Sequence, residues 1–235
     1  LNLSATIFSF TFSKPVERKF VMFTRLLALM SSMVGCSGAV DADPLPTISN
    51  SDEQNRVYRK GCDLIKPYMR IHGVEAKRID AAAKAKIARG IALLGVVTKY
   101  SPSNWSAHWI CGKGYQALGD SPAACDAFKR AFEIQTENPD VAREYMFECL
   151  NLGRGIEGLR AATLAVKLNP SDAGLHANLA LAYLVSGDPP SALKAVDEAL
   201  RLNPSDAISK NVGRVTQQII DGKRSIPKKL SDLNR

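Results

Sequence analysis

Between residues 105 and 206 the apolar positions follow helical spacing, and the helical runs themselves recur at a fixed interval. Windows opened at Trp105, Pro139 and Ala173 align without gaps. Their eighth residues are Gly112, Met146 and Ala180, and their fifteenth is always glycine (Gly119, Gly153, Gly187). Their twentieth is small (Ala124, Gly158, Ala192). Their twenty-seventh is always alanine (Ala131, Ala165, Ala199), followed by apolar Phe132, Val166 or Leu200. The pentapeptide Asn169-Pro170-Ser171-Asp172-Ala173 returns unchanged as Asn203-Pro204-Ser205-Asp206-Ala207, 34 residues later. Helical patterning at that period predicts stacked helix–turn–helix units, an all-α solenoid in which each hairpin hides its apolar side against the next.

Each recurring position has a mechanical reason. Two antiparallel helices approach closely only where small side chains meet, which is the role expected of the eighth and twentieth positions. Tyr115, Tyr183, Phe128 and Val196 fill the volume around those crossings. Glycine ends each first helix because it takes the left-handed conformation at little steric cost. Pro122 and Pro190 suit the first turn of the second helices, and the Asn-Pro-Ser-Asp stretches end one unit and cap the next.

The same periodicity continues outside the three units in diluted form. Val57, Leu64 and Ile65 share one helical face, and Pro67 should end or kink that helix. A second helix is expected from about Ala76 to Tyr100, with Gly90 at a small-residue crossing, so residues 52–104 form an N-terminal hairpin with a degenerate repeat. After the third unit, Ile208, Val212, Val215 and Ile219 form one stripe of a capping helix over 207–222, and the basic tail 223–235 is expected to be mobile.

The windows HWICGKGYQALGD…ACDAFKRAFEI and HANLALAYLVSGDPPSALKAVDEALRLNP resemble the tetratricopeptide repeat family. The resemblance implies a right-handed superhelix of antiparallel helix pairs, with units at 105–138, 139–172 and 173–206, and a protein–protein interaction role in place of catalysis. The middle unit departs most from the pattern: Gly158 and Ala162 thin its second helix, and Arg154 stands where Asp120 and Asp188 stand in the others.

The first 51 residues read differently. Residues 1–21 open with leucine, carry no clear phase and are read as an uncertain leader ahead of Met22. From there Arg25 precedes an apolar run, Leu26 to Gly35, that is shorter than the roughly 20 residues a bilayer span takes and has the form of an export signal. Met33-Val34-Gly35-Cys36 resembles the bacterial lipobox, which implies lipidation of Cys36 and membrane anchoring through that lipid. The rival cleavage site follows Ala39 and would give a freely secreted chain. Residues 37–51, with Pro44 and Pro46, read as a tether. The expected location is the cell envelope of a bacterium, periplasmic or membrane-anchored.

Charge and candidate chemistry change this picture little. The net charge is +8, spread over helices, and without a stacking motif it suggests no nucleic-acid partner; Lys223, Arg224, Lys228 and Lys229 form its one cluster. Cys111, Cys125 and Cys149 occupy inward repeat positions and are expected as buried thiols, with Cys111 and Cys125 the pair on facing helices that could bridge. His108 and His176 share one repeat position and are expected to pack alike, so no metal site is expected. No nucleophile motif, phosphate loop or paired carboxylates suggests an enzyme or a cofactor.

What remains is a surface. The first helices of stacked units line a concave face, whose fifth, ninth and twelfth positions carry Trp109, Lys113 and Gln116, then Arg143, Phe147 and Leu150, then Ala177, Leu181 and Leu184, with Asn178 beside them. Large apolar residues on a surface and tryptophan or arginine within it mark contact sites. The expected partner is a protein or peptide segment with apolar anchors and some acidic residues, lying in this groove as an amphipathic helix would. Two other readings stand beside it: an enzyme's accessory subunit or binding module for an anionic polymer in envelope assembly, and an element that assembles with copies of itself.

Overall fold

A computed structural model describes residues 43–69 and 76–234. The leader, the export segment with Cys36, and His72 lie outside the described residues. Those residues form nine α-helices and two 3-10 turns, without a strand, and none of the helices is long and apolar enough to cross a membrane.

Helix α1 (Ser51–Ile65) begins where Asn50 accepts the Glu53 N–H and gives way at Pro67 to a 3-10 turn, Lys66–Tyr68. Helix α2 (Ala81–Tyr100) starts later than its hydrophobic pattern suggests. Asp80 accepts the Ala83 N–H at 2.8 Å, and a short carboxylate that caps a helix also ends the extended segment before it. The two helices cross at paired glycines. A side chain on Gly90 would stand 2.7 Å from Ile65 Cγ1 and 2.9 Å from the Gly61 carbonyl oxygen.

Three hairpins follow: α3 (Trp105–Leu118) with α4 (Ser121–Ile134), α5 (Pro139–Asn151) with α6 (Gly155–Leu168), and α7 (Ala173–Val185) with α8 (Pro189–Leu202). Gly119, Gly153 and Gly187 end their first helices at φ of 78°, 73° and 88°, the conformation that L side chains disfavour. At the crossings, a Cβ on Gly112 would lie 2.6 Å from the Phe128 ring, and one on Gly158 would lie 2.6 Å from Leu150 Cδ2. The small residue thus sits on the first helix in one unit and on the second in the next, while Phe128 and Leu150, both fully buried, fill the space it leaves.

Asn104, Asp120, Asn138, Asp172, Asp188 and Asp206 each accept a first-turn N–H. Helix α6 is the one described α-helix that lacks such a cap, because Arg154 occupies the position.

Helix α9 (Ala207–Ile220) closes the C-terminal end with Val212, Val215 and Ile219 inward. Ile208, expected on that stripe, is 66% exposed, and Ser209 and Thr216 are buried instead. Their hydroxyls donate locally, to Asp206 and to the Val212 carbonyl, so the inward face is wider and more polar than an aliphatic count allows.

The basic tail, expected to be mobile, is folded. After Gly222 the chain returns across the first helices of the units and ends in a 3-10 turn, Leu230–Asn234. Its Lys228 carbonyl would lie 2.9 Å from any side chain on Gly153. Asp232 accepts the N–H groups of Lys228 and Lys229, and Arg224 donates to the carbonyls of Asp232 and Leu233. Leu230 packs against the core that holds Met146 and Leu150, and Leu233 against the core that holds Val212 and Ile219. Overall basicity concealed two leucines three residues apart and a carboxylate placed to organise the turn between them.

Candidate partner-binding groove

The first helices α3, α5 and α7 line the concave side, and the N-terminal part of that side is a polar floor. Lys113 donates to Glu144 Oε2 at 3.1 Å. Gln116 donates to the same oxygen at 3.2 Å and to Glu148 Oε1 at 2.8 Å. Arg143 pairs with Asp140 at 2.9 Å and lies 3.9 Å from Glu144. The Lys113 and Glu144 side chains retain 5% and 12% of their exposure. A buried ion pair at this depth persists because further hydrogen bonds satisfy its remaining donors and acceptors.

Trp109 is half-buried between the first and second core clusters. The Lys113 ammonium lies over its ring, 5.8 Å from the centroid, and its indole N–H is buried without a partner among the described residues. The tryptophan therefore supports the floor beneath the lysine, a cation–π arrangement.

Leu150 and Leu184 are fully buried and belong to the core, not to the groove surface. A side chain at the twelfth position of a unit leans toward its own second helix, and where it is aliphatic, burial takes it inward. Phe147 and Leu181 are half-buried on the groove side, and Asn178 is half-buried beside them. The cations expected to receive partner carboxylates, Lys113 and Arg143, meet carboxylates of the chain itself.

Glu144 and Glu148 are the groove residues that sequence reasoning missed. The signal was present: Lys113 to Glu144 spans 31 residues and Gln116 to Glu148 spans 32, one repeat less most of a helical turn. Positions that face each other across neighbouring first helices fall at that separation. His108 and His176 do the same job in their two units, each meeting a proline carbonyl, Pro102 at 3.1 Å and Pro170 at 2.8 Å.

Above this floor lies a cleft of about 790 Å³ between α3, α5 and residues 76–79, rimmed by Tyr68, Lys77 and Arg78 and bounded at its far side by Phe147 and Leu230. Beyond Leu230 the groove continues as an apolar trough of about 270 Å³ lined by Leu181, Ile208, Val212 and Leu233. The tail thus divides the concave side into an open charged half and an occupied aliphatic half.

Residues 173–206 match the family model described as the tetratricopeptide repeat, and that match coincides with the α7–α8 hairpin. The α7–α8 hairpin is a tetratricopeptide repeat, and the array around it has the tetratricopeptide fold. No curated protein shows significant similarity to its sequence. Among solved structures, MamA superposes with a TM-score of 0.59 at 17% identity, over 72% of this chain and 83% of that one. YrrB, described as a TPR protein with an unusual peptide-binding site, gives 0.53 at 20% identity over 65% and 77%. PilF of Pseudomonas aeruginosa gives 0.53 at 16% identity over 73% and 71%. At these identities the likeness concerns the fold. The three hairpins here are joined to an N-terminal hairpin, α1–α2, and to a C-terminal segment that packs on their first helices.

Proposed function

We propose that this tetratricopeptide-repeat chain is a non-enzymatic scaffold that holds a short segment of another protein along its concave side. One observation carries the reading: a segment of the chain itself already lies there, with Leu230 and Leu233 seated on the side chains of first helices. A surface that holds two aliphatic residues in one turn can hold the same pattern from a partner. The partner segment then has apolar anchors spaced one turn apart for Phe147 and Leu181. Its polar part lies over the Lys113–Glu144–Gln116–Glu148 floor, where amide and hydroxyl groups fit better than a run of acids, since the floor's cations are already paired. Lys77 and Arg78 on the rim leave room for one or two acidic residues.

The test uses the chain ended at Gly222 and a synthetic peptide of residues 223–234. Saturable shifts in the NMR signals around Phe147, Leu181 and Val212, lost when the peptide's two leucines become alanine, support the reading. A peptide that leaves those signals unmoved refutes it.

The pattern of residues 22–36 supports placing this scaffold outside the cytoplasm of a bacterium, tethered through a lipid on Cys36. The mass of the mature N-terminal peptide decides it: a diacylated cysteine supports the tether, and an unprocessed leader removes it.

A further inference from the structure

The second repeat unit meets the first across a pair of thiols. Cys125 on α4 and Cys149 on α5 are both fully buried, with their sulfurs 4.0 Å apart. The Arg154 guanidinium reaches Cys125 Sγ at 3.7 Å. Asp120 and Asp188 cap their helices from the position Arg154 holds in its unit, so here a helix goes uncapped and a cation is set against a sulfur.

We propose that Cys125 and Cys149 are a redox-active dithiol that closes to a disulfide and staples the first repeat unit to the second. The hydrogen bond from Cys149 and the charge of Arg154 hold the Cys125 thiol below its ordinary range, against burial and the carboxylates of Asp126 and Glu157. Cys149 is pushed up, as the partner that keeps its proton. This division suits an attacking and a resolving cysteine.

The oxidant is an external disulfide, a small molecule such as oxidised glutathione or an exposed protein disulfide. The Cys125 thiolate attacks one of its sulfurs, forming a mixed disulfide and releasing one thiolate, which takes up the proton Cys125 gave up. Cys149 then attacks Cys125 Sγ, the mixed bond breaks, and the second external thiol leaves with the Cys149 proton. Two protein thiols are oxidised and one external disulfide is reduced to two thiols. The sulfurs must approach from 4.0 Å to the bonding distance of about 2 Å. Because both are buried, the first attack takes place through a local opening of the turn at Gly153–Arg154.

The geometry selects this pair over the others. Cys111 lies on the far side of its unit, packed in the cluster with Cys62, and burial raises its thiol to about 12. The bridge that facing helices of one unit would suggest, Cys111 to Cys125, is thereby replaced by one between units.

The test incubates the full chain with oxidised glutathione, alkylates remaining thiols under denaturing conditions and maps tryptic peptides. Residues 114–129 and 144–154 carry one cysteine each. The expected product is these two peptides joined, with Cys62 and Cys111 alkylated and a melting temperature raised by roughly 5–10 °C that a reductant reverses. Cys149→Ser should instead leave glutathione trapped on Cys125, and Arg154→Gln should slow closure several-fold without altering the helical CD signal. Glutathione persisting on Cys125 in the unmodified chain, a link from Cys125 to Cys111, or two alkylated thiols while Cys149→Ser still traps glutathione would each overturn the assignment.

Discussion

The Lys113–Glu144 pair lets the groove floor be tested by asymmetry. Removing one member of a buried ion pair costs about 3–5 kcal/mol when the other is left uncompensated. The two members are not equally abandoned. Glu144→Ala leaves the Lys113 ammonium, 4% exposed as a residue, with only the Trp109 face. That face returns about 1–2 kcal/mol, so the net loss should be about 2–4 kcal/mol. Lys113→Met leaves Glu144 with Gln116 at 3.2 Å and Arg143 at 3.9 Å, and the methionine retains the packing on Trp109. Its cost should be about 1–2 kcal/mol. The double variant Lys113→Met/Glu144→Leu removes both charges and should lie close to the unmodified chain, giving a coupling energy of about 3–6 kcal/mol, the sum of the two single costs. Urea unfolding followed by far-UV CD measures all three, and for a folded region of this size each kcal/mol moves the melting temperature by about 2–4 °C. Equal costs for the two single variants, or a double variant that costs their sum, would show that the pair is solvated and that the floor is not a closed network.

Three further outcomes follow from the packing. Leu230→Asp with Leu233→Asp should release the tail, collapsing the NMR signals of residues 223–234 toward random-coil positions while the helical CD signal persists; dispersed tail signals in that variant would contradict its docking. Gly155→Ala places a methyl 2.7 Å from the Val185 carbonyl oxygen, backbone against backbone, and should cost about 2–3 kcal/mol. Gly95→Ala in α2 meets open space and should stabilise by about 0.5–1 kcal/mol, so a reversed order in thermal melts would refute the crossing geometry. Hydrogen bonds from Ser191 and Ser209 hold the Asp188 and Asp206 carboxyls below the usual carboxylate range. Their contribution is therefore present above the unfolded carboxyl range near pH 4 and lost as pH falls through the lower folded values. Asp188→Asn/Asp206→Asn keeps the caps and should flatten the loss of urea midpoint between pH 5 and about pH 2; an unchanged acid slope refutes the assignment.

The array was legible because its determinants are local and repeat. Gly119, Gly153 and Gly187 stop helices through their own backbone freedom, and Gly112, Gly158 and Gly90 permit crossings through the absence of one atom. A repeat period carries each such inference to the next unit. The groove was legible only as a list of outward positions. Whether an outward side chain stays exposed depends on what arrives opposite: Glu144 beneath Lys113, the second helix beneath Leu150, the returning tail above Leu181. Those encounters join residues from 8 positions apart, Leu150 to Gly158, to about 80 apart, Leu150 to Leu230, and those of the tail leave no period of their own. The two ends were read with mixed accuracy for the same reason. Gly90 was found because it lies in phase with the units, and the tail was misjudged because its charges are conspicuous and its two leucines are not.

The docked tail also sets what a partner must overcome. Two half-buried leucines contribute about 2–3 kcal/mol, offset by the ordering of the segment that carries them, so the same peptide supplied separately should bind only with a dissociation constant of about 10 mM or weaker. Attachment about ten residues away supplies an effective concentration of the same order, a few millimolar, and the closed and open forms then differ by no more than about tenfold. Such a tail excludes casual apolar contacts from the aliphatic half of the groove, yet reduces the apparent affinity of a micromolar partner by at most that factor. The charged half, where Lys113 and Glu144 are satisfied by each other, adds little attraction and much discrimination. A segment that places an unpaired charge there leaves it desolvated and unmatched, whereas one that places an amide there finds donors and acceptors already fixed. Selection of a partner would thus rest on the polar floor, and its hold on the two aliphatic sites now filled by Leu230 and Leu233.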